Sequence, residues 1–223
     1  GAFGVAGVWP KCANSMTFGP RIAAAACIRL TSTCFAGPPD ITAIAKGLGA
    51  GYQPIGAMLC TSQIYDTLRD GSGFFQHGHT YIGHPAACAA GKAVVERLLD
   101  DNVLGQVAPL GRMLKDALTA QFGQHPYIGD IRGRGLFLGL ELVQDRETRA
   151  PFDPAQKVHA RIKSAAFGHG LICYPMGGTV DGKRGDHVLL APPFTLTEGQ
   201  VDELTTKLAA AIESALSPEM AAQ

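Results

Sequence analysis

The sequence predicts an α/β protein that ends in a smaller α+β domain. Its 28 glycines and 14 prolines suit a chain in which tight turns connect many strands and helices. From about residue 104 onward, helical patterns alternate with short apolar runs, an order that favours helices packed against one small sheet. The 223 residues, 46% of them hydrophobic, are enough for one large or two small domains with a sizeable core.

Charge and cysteine content narrow the functional class. The formal net charge is zero, so no basic surface for nucleic acid or an anionic membrane is expected. The sequence contains neither a run of about 18 apolar residues nor a signal-peptide pattern. The cysteines are scattered without a CxxC pair, which favours reduced thiols in a cytoplasmic enzyme. They are Cys12, Cys27, Cys34, Cys60, Cys88 and Cys173.

The first half begins with an irregular segment. Residues 1–37 show no steady helical or strand period and include no acidic residue, so we expect them to be poorly ordered or irregularly packed. The apolar run Pro54–Thr61 predicts a strand that follows a glycine-rich turn. Ser62 is placed to cap a short helix over Gln63–Leu68, and Pro85 suits the first position of the next helix.

The second half alternates helices with strands. Apolar residues recur at helical spacing over 103–122, a further helix is expected over Pro154–Gly168, and Thr197 is placed to cap a last helix that ends at Leu216. Glycine boundaries separate apolar runs that predict one four-stranded sheet. These strands are Ile128–Arg132, Leu136–Val143, Leu171–Tyr174 and Val188–Leu190.

Lys46 stands out because it lies between an apolar run and closely spaced glycines. Ile41 to Ala45 precede it, Gly47 follows it, and a second apolar run begins at Pro54. These surroundings are unusual for a surface charge. Burial would favour the neutral amine, which can attack a carbonyl and form a Schiff base. The alternative is a lysine that ends a strand and reaches out to water.

The surrounding segment is more specific than the lysine alone. Residues 39–57 read PDITAIAKGLGAGYQPIGA and resemble the cofactor-lysine segment of class III (omega type) aminotransferases, which are fold-type I pyridoxal-phosphate enzymes. The resemblance extends over roughly residues 38–216. It implies that Lys46 is the catalytic lysine that forms the Schiff base with pyridoxal 5'-phosphate. It also implies that 1–103 is the end of a large α/β domain and 104–223 a small C-terminal α+β domain.

A histidine-rich segment carries the second part of the resemblance. It reads FFQHGHTYIGHP over residues 74–85, and its spacing matches a family motif whose threonine holds the cofactor phosphate of the partner subunit. Thr80 takes that position, so a homodimer with shared active sites is implied. The hydroxyl and backbone N–H of Thr80 can both donate to a phosphate oxygen. Three histidines so close together also suggest a metal site, although no carboxylate or cysteine lies near them in the sequence.

The implied reaction is the transfer of an amino group between an amine or amino acid and a keto acid. Arg184, in the loop before the last strand, lies where several members of the family place a mobile arginine that binds a substrate carboxylate. A solvated loop arginine is the alternative interpretation. Arg132 and Arg134 are interpreted as structural residues that fix a turn.

The resemblance fails before Pro39. The family has an acidic residue there that pairs with the cofactor ring nitrogen, and this sequence has no Asp or Glu before Asp40. We therefore expect a truncated, C-terminal portion of the enzyme with an aberrant start and little or no activity of its own.

Three other functions remain open at this point. An aminomutase or decarboxylase of the same class would use the same lysine and threonine. A catalytically dead fragment that only associates with a partner chain would explain the missing acidic residue. A small metal-binding module would use His77, His79 and His84.

Overall fold

The computed structural model describes residues 39–100 and 102–217, so the expectation for residues 1–37 lies outside the described part of the chain. The chain divides into two compact units, the first ending at Asp101 and the second beginning at Asn102. Each unit has its own sheet and helices. Among the described helices, none combines the length and the apolar character needed to cross a bilayer.

The first unit is built on a two-stranded antiparallel sheet. Strand β1 (Ile41–Ile44) pairs with strand β2 (Ala57–Cys60) in a register that places Ile41 opposite Cys60. A 3-10 turn and a glycine-rich segment connect the two strands. The strand predicted over Pro54–Thr61 is confirmed, with shorter bounds.

Two helices follow this sheet. Helix α1 spans Ser62–Asp70 and helix α2 spans Pro85–Asp100, which confirms the predicted start of the second helix. The expected cap by Ser62 is wrong, because Thr61 occupies the N-cap position and no side chain caps the helix. Thr61 belongs to the end of the sheet, where its N–H donates to the carbonyl of Asp40 at 3.0 Å.

The described part of the first unit has a small interior. Among the described residues its buried apolar side chains are Ile55, Ala87 and Val95, and α1 contributes none. Helix α2 packs against the 3-10 turn Lys46–Gly49, while β1 leaves Ile41 56% exposed. A two-stranded ribbon does not enclose a core by itself, and every residue of β1 and β2 is at least partly exposed.

The second unit is built on a four-stranded antiparallel sheet in the order β3-β4-β6-β5. The sheet contains all four predicted segments in overlapping form, which confirms the expectation of a single sheet. Its strands are β3 (Ile128–Arg134), β4 (Phe137–Leu142), β5 (Tyr174–Gly177) and β6 (Asp186–Leu190).

One strand prediction is displaced along the chain. The sequence favours a strand over Leu171–Tyr174, but β5 begins only at Tyr174. The residues before it finish the preceding helix instead: Leu171 N–H donates to the carbonyl of Ala166 at 2.8 Å, and Gly170 adopts a left-handed φ of 71°. Leu171 then packs against the core of the unit rather than joining the sheet.

Three long helices belong to the second unit: α3 (Val103–Phe122), α4 (Val158–Gly168) and α5 (Glu198–Leu216). The first has the predicted bounds. The second begins later than predicted, because a 3-10 turn Pro154–Gln156 ends at Lys157, whose φ of 48° interrupts helical geometry.

Helix α5 begins with a capping box, which confirms the predicted role of Thr197. The Thr197 hydroxyl accepts a hydrogen bond from Gln200 N–H at 3.4 Å, and the Gln200 side-chain carbonyl accepts one from Thr197 N–H at 2.9 Å. Two backbone donors at the helix start are thereby satisfied.

The core of the second unit lies between the helices and one face of the sheet. Residues alternate between buried and partly exposed along β4, as the sequence pattern predicts. Burying side chains of this size contributes about 1.5–3 kcal/mol each. The fully buried set includes Leu114, Leu118, Leu138, Leu140, Ile162, Val188, Leu208 and Ile212.

Candidate functional site

Lys46 opens the 3-10 turn that follows β1. The turn spans Lys46–Gly49 and is closed by Ala50 N–H, which donates to the carbonyl of Gly47 at 3.1 Å. Lys46 itself has a left-handed φ of 54°, which is uncommon for a residue with a long side chain. The lysine therefore lies at the end of the sheet, where the chain turns sharply, and not within a strand.

The glycines after Lys46 serve different purposes. Gly49 is buried, and a Cβ there would lie 2.8 Å from Cγ2 of Ile55. Gly51 has a φ of 82°, which side-chain-bearing residues rarely adopt. At Gly47 no atom lies within 4 Å of the position that a Cβ would take. The turn is thus closely packed at Gly49 and open next to the lysine.

Lys46 is exposed, which corrects the expectation of a buried amine. The physical reason is that β1 and β2 form a ribbon with no fully buried residue in either strand. The apolar residues around Lys46 belong to this partly open sheet. The sequence pattern correctly located a strand end but did not reveal how little of the strand is covered.

Thr80 lies in the turn that leads into α2. Hydrogen bonds from Ile82 N–H to the carbonyl of His79 (3.0 Å) and from His84 N–H to the carbonyl of Tyr81 (3.2 Å) close this turn. Thr80 is exposed, so its hydroxyl is accessible. Helix α2 both follows this turn and packs against the lysine turn, and it therefore supports both candidate residues.

The three histidines near Thr80 have separate surroundings. The rings of His77 and His79 meet edge to face with centroids 5.1 Å apart. His84 precedes α2, and its Nδ1 accepts a hydrogen bond from Ala87 N–H at 3.4 Å, as a capping side chain does. Within residues 39–100 and 102–217, no group of three or more His, Cys, Asp or Glu side chains is arranged to hold a metal ion.

Arg184 lies in the loop that joins β5 to β6. Its Nε donates to Oδ2 of Asp181 at 2.7 Å, and its backbone N–H donates to Oδ1 of the same carboxylate at 2.7 Å. Lys183 N–H donates to that Oδ1 as well, at 3.0 Å. These hydrogen bonds lower the pKa of Asp181 to about 2. The backbone N–H of Arg184 has the largest effect, the Arg184 side chain the next largest, and the backbone N–H of Lys183 a smaller one.

A buried carboxylate fixes the base of the same loop. Asp186, the first residue of β6, is only 5% exposed. Its Oδ1 accepts hydrogen bonds from the backbone N–H of His159 at 3.1 Å and from His159 Nδ1 at 2.5 Å. Gly177, opposite Asp186 in the sheet, has no room for a side chain, because a Cβ would lie 2.7 Å from the His159 ring.

Arg132 joins two strands on the partly exposed face of the sheet. Its Nη1 donates to Oε2 of Glu141 at 2.6 Å and to Oδ2 of Asp130 at 2.9 Å. These two hydrogen bonds raise the pKa of Arg132, and the hydrogen bond from Arg132 lowers that of Asp130. Burial lowers the pKa of His187, opposite Glu141 in the sheet. Arg132 therefore has structural contacts of the kind that the sequence interpretation proposes.

Sequence reasoning did not select Asp181, Asp186 or His159. The Asp-Gly pair at 181–182 is a known turn signal and could have identified Asp181 as the organiser of its loop. Nothing local marks the contact between His159 and Asp186, because the two residues are 27 positions apart.

Comparisons with known proteins agree with these features. The family model described as "Aminotransferase class-III" matches residues 31–212. An uncharacterised aminotransferase of Schizosaccharomyces pombe is 43% identical over 179 residues, which cover 80% of this chain and 39% of that protein. The uncharacterised aminotransferase YodT of Bacillus subtilis is 39% identical over 184 residues, with 81% and 41% covered.

A solved structure shows the same fold. The (S)-enantioselective omega-transaminase of Thermomicrobium roseum has a TM-score of 0.75 and 30% identity, over 85% of this chain and 40% of that chain. The chain therefore belongs to the class III aminotransferases, and its fold is that of a C-terminal part of a fold-type I enzyme. It spans about 40% of the length of the relatives it matches.

Pyridoxal 5'-phosphate is the cofactor of this family, and the described residues fit it. An aldehyde needs a primary amine that it can reach, and Lys46 is exposed beside the open space at Gly47. A phosphate needs hydrogen-bond donors, and Thr80 offers an accessible hydroxyl.

Proposed function

We propose that Lys46 binds pyridoxal phosphate covalently and serves in the transfer of an amino group between an amine or amino acid and a keto acid. The observation that carries this proposal is the position of Lys46: an exposed lysine with a left-handed backbone opens a glycine-rich turn in a class III aminotransferase chain. The cofactor, when bound, supplies an aldehyde that condenses with amines and a conjugated ring that accepts electrons from the substrate.

Lys46 has two tasks in this proposal. Its neutral amine would condense with the cofactor aldehyde with loss of water, and once displaced by a substrate amine it would be placed to move a proton to or from the substrate carbon. Both tasks need the same nitrogen at the same place. The turn restrains the backbone from which the side chain extends, because Leu48 N–H donates to the carbonyl of Ala45 at 3.2 Å and Ala50 N–H donates to that of Gly47 at 3.1 Å.

Thr80 is proposed to bind the cofactor phosphate. The hydroxyl can donate to one phosphate oxygen, and hydrogen bonds to charged acceptors are stronger than those between neutral groups. The closed turn before α2 fixes the direction of the neighbouring backbone. Without a phosphate, an exposed threonine is an ordinary surface residue. The proposed role of Thr80 therefore depends on a cofactor phosphate that the partner subunit brings next to it.

We also propose a two-fold homodimer in which Thr80 of one chain serves the site that contains Lys46 of the other. The exposure of Lys46 and Thr80 supports this assembly. Tyr81 (68% exposed) follows Thr80 directly, and Phe74 (56% exposed) lies earlier in the same loop; aromatic residues are enriched at such interfaces. An isologous contact would cover them in both chains at once.

Arg184 is proposed to bind the carboxylate of an amino acid or keto acid. Its side chain is 56% exposed and belongs to a loop with a fixed shape. A guanidinium binds a carboxylate through two parallel hydrogen bonds.

We propose that the protein is located in the cytoplasm, because the described cysteines Cys60, Cys88 and Cys173 are free thiols.

The test is covalent labelling at Lys46. The chain is incubated with pyridoxal phosphate, the link is fixed with borohydride, and the modified lysine is located by peptide mass spectrometry. We expect Lys46 to carry the label and the Lys46→Ala chain to lose it together with the visible absorbance band.

The matched control is Lys92→Ala, which removes another exposed lysine of the first unit, one that pairs with Glu96 at 3.3 Å. Labelling should be unchanged in this variant. A label that persists in Lys46→Ala, at Lys92 or at Lys183, would show that a different lysine binds the cofactor.

A further inference from the structure

Arg184 is held along one side of its guanidinium only. The contact with Asp181 uses Nε, and no hydrogen bond or ion pair of the two terminal nitrogens is found among the described residues. A guanidinium carries five N–H donors in a planar fork. The edge formed by the two Nη atoms is therefore available to a ligand while Asp181 keeps its hold on Nε.

Arg69 in the first unit provides a contrast. Its Nε and Nη2 donate to the two oxygens of Asp70 at 2.7 and 2.8 Å, and its Nη1 pairs with Oδ1 of Asp66 at 2.7 Å. All three nitrogens of this exposed arginine are occupied. Each nitrogen of Arg69 thus meets a carboxylate, whereas Arg184 meets one through Nε alone.

The loop around Arg184 is constrained at several points. Val180 N–H donates to the carbonyl of Arg184 at 2.9 Å, and Gly182 N–H donates to the carbonyl of Gly178 at 2.9 Å. The stems of the loop are joined where His159 and Gly177 meet the buried Asp186. Because the backbone is bonded on both sides of Asp181, this carboxylate has a defined position relative to Arg184.

We propose that Asp181 is a positioning residue that presents the free Nη edge of Arg184 to the carboxylate of a substrate. This inference rests on the proposed function of Arg184. Asp181 stays ionised at neutral pH, since its pKa lies at about 2, and a carboxylate can hold Nε only in that form.

Two opposing effects decide what Asp181 does for binding. A free arginine side chain loses much rotamer freedom when it binds, and Asp181 removes part of that cost by ordering the side chain beforehand. Its negative charge also repels an incoming carboxylate, but solvent and salt screen this repulsion because both side chains are exposed. Ordering is the larger effect, so we expect Asp181→Asn to weaken carboxylate binding roughly threefold to tenfold.

The test follows the Arg184 Nε–H signal by nuclear magnetic resonance in the full chain loaded with pyridoxal phosphate. Propionate is the probe, because it has a carboxylate and no carbonyl that reacts with lysines, and propanamide is its neutral counterpart. In the unchanged protein we expect a slowly exchanging Nε–H signal that propionate shifts and propanamide does not. Asp181→Asn should speed the exchange of this signal and raise the dissociation constant of propionate.

The controls separate the inference from the proposals on which it rests. Asp70→Asn makes the same change at Arg69 and should leave propionate binding unchanged. Arg184→Gln should abolish the propionate response. If Arg184→Gln abolishes it while Asp181→Asn leaves it equal or stronger, Asp181 is not a positioning residue although Arg184 binds carboxylates. If propionate never shifts the Arg184 signal, both roles are overturned, and the labelling of Lys46 is unaffected.

Discussion

The two units of this chain differ in how many side chains they bury and in which candidate functional residues they carry. The second unit has a four-stranded sheet, three long helices and many fully buried side chains. The described part of the first, residues 39–100, has a two-stranded ribbon and few buried side chains, yet it carries the candidate cofactor residues Lys46 and Thr80. A residue that binds a ligand has to be accessible, and Lys46 and Thr80 are both exposed.

The same difference is visible in the arginines. Arg69 of the first unit is surrounded by Asp66 and Asp70, which use all of its nitrogens. Arg184 of the second unit is held by a single carboxylate on a well-bonded loop. The candidate cofactor residues of the first unit are exposed, whereas Arg184 in the second unit is oriented within its own loop. Under the proposed homodimer a partner chain would complete the first unit, and the comparison asks whether the second unit needs one.

The largest expected effect tests whether a second chain completes the first unit. Lys46→Ala should abolish covalent cofactor attachment. Thr80→Val should weaken cofactor binding by roughly tenfold to a hundredfold, as expected when a hydrogen bond to a charged group is lost. When the two variants exchange subunits, one site of each mixed dimer contains both residues, so attachment to the Thr80→Val chain should return. The measurement is borohydride-fixed cofactor per chain.

Thr80→Ser is the control for this experiment, because it keeps the hydroxyl and should attach the cofactor as a dimer of its own, without the Lys46→Ala chain. Subunit exchange itself is followed with an isotope-labelled chain. Complete exchange without any recovery of attachment would mean that the sites are not shared between subunits.

A second prediction compares the interiors. Leu140→Ala removes a fully buried side chain from the middle of β4 and should lower the free energy of unfolding of the second unit by about 2–5 kcal/mol. Ile41→Ala removes a side chain that is 56% exposed and should cost no more than about 0.5 kcal/mol. Amide hydrogen exchange in urea reports each unit separately. Equal losses at the two positions would mean that the first unit has a core as extensive as the second.

A third prediction uses two glycines with opposite surroundings. Gly177→Ala would place a Cβ 2.7 Å from the His159 ring, so the ring or the strand must move, at a cost of about 1–3 kcal/mol. Gly47→Ala meets no atom within 4 Å and should leave stability nearly unchanged. Thermal unfolding measures both. Faster trypsin cleavage after Arg184 in the first variant alone would show that the base of the loop has loosened.

The sequence predicted the elements of this structure better than their surroundings. Helix α3 and the cap at Thr197 follow from local periodicity and capping chemistry, which a single segment contains. The displaced strand β5 depended on how Leu171 closes the helix before it. The exposure of Lys46 depended on what covers the sheet. Such features arise from contacts between distant residues, which local patterns do not report.

The site could be predicted where a motif carried it. Lys46 and Thr80 were selected because their flanking residues match a family pattern, and the family is confirmed by the match over residues 31–212. Their roles stay predictions until a cofactor is shown to bind. Asp181 was missed, although its hydrogen bonds within the loop are all local.

The smallest expected effect concerns acid titration of the arginine pairs. The pKa of Asp181 lies at about 2, below its ordinary value of 3.8. Its contacts therefore contribute fully above about pH 3.8 and are lost as the pH falls through about 2. The chemical shift of the Arg184 Nε–H should stay constant above about pH 4 and move toward that of a solvated arginine near pH 2, while amides of β6 confirm that the unit is still folded. The total stability should hardly change in this range, because exposed pairs contribute little.

The hydrogen bond from Arg69 likewise lowers the pKa of Asp70, so the Arg69 signal serves as the internal reference. A midpoint near pH 4 in the titration of the Arg184 signal would mean that Asp181 does not hold this side chain. The contrast between Arg69 and Arg184 would then no longer stand.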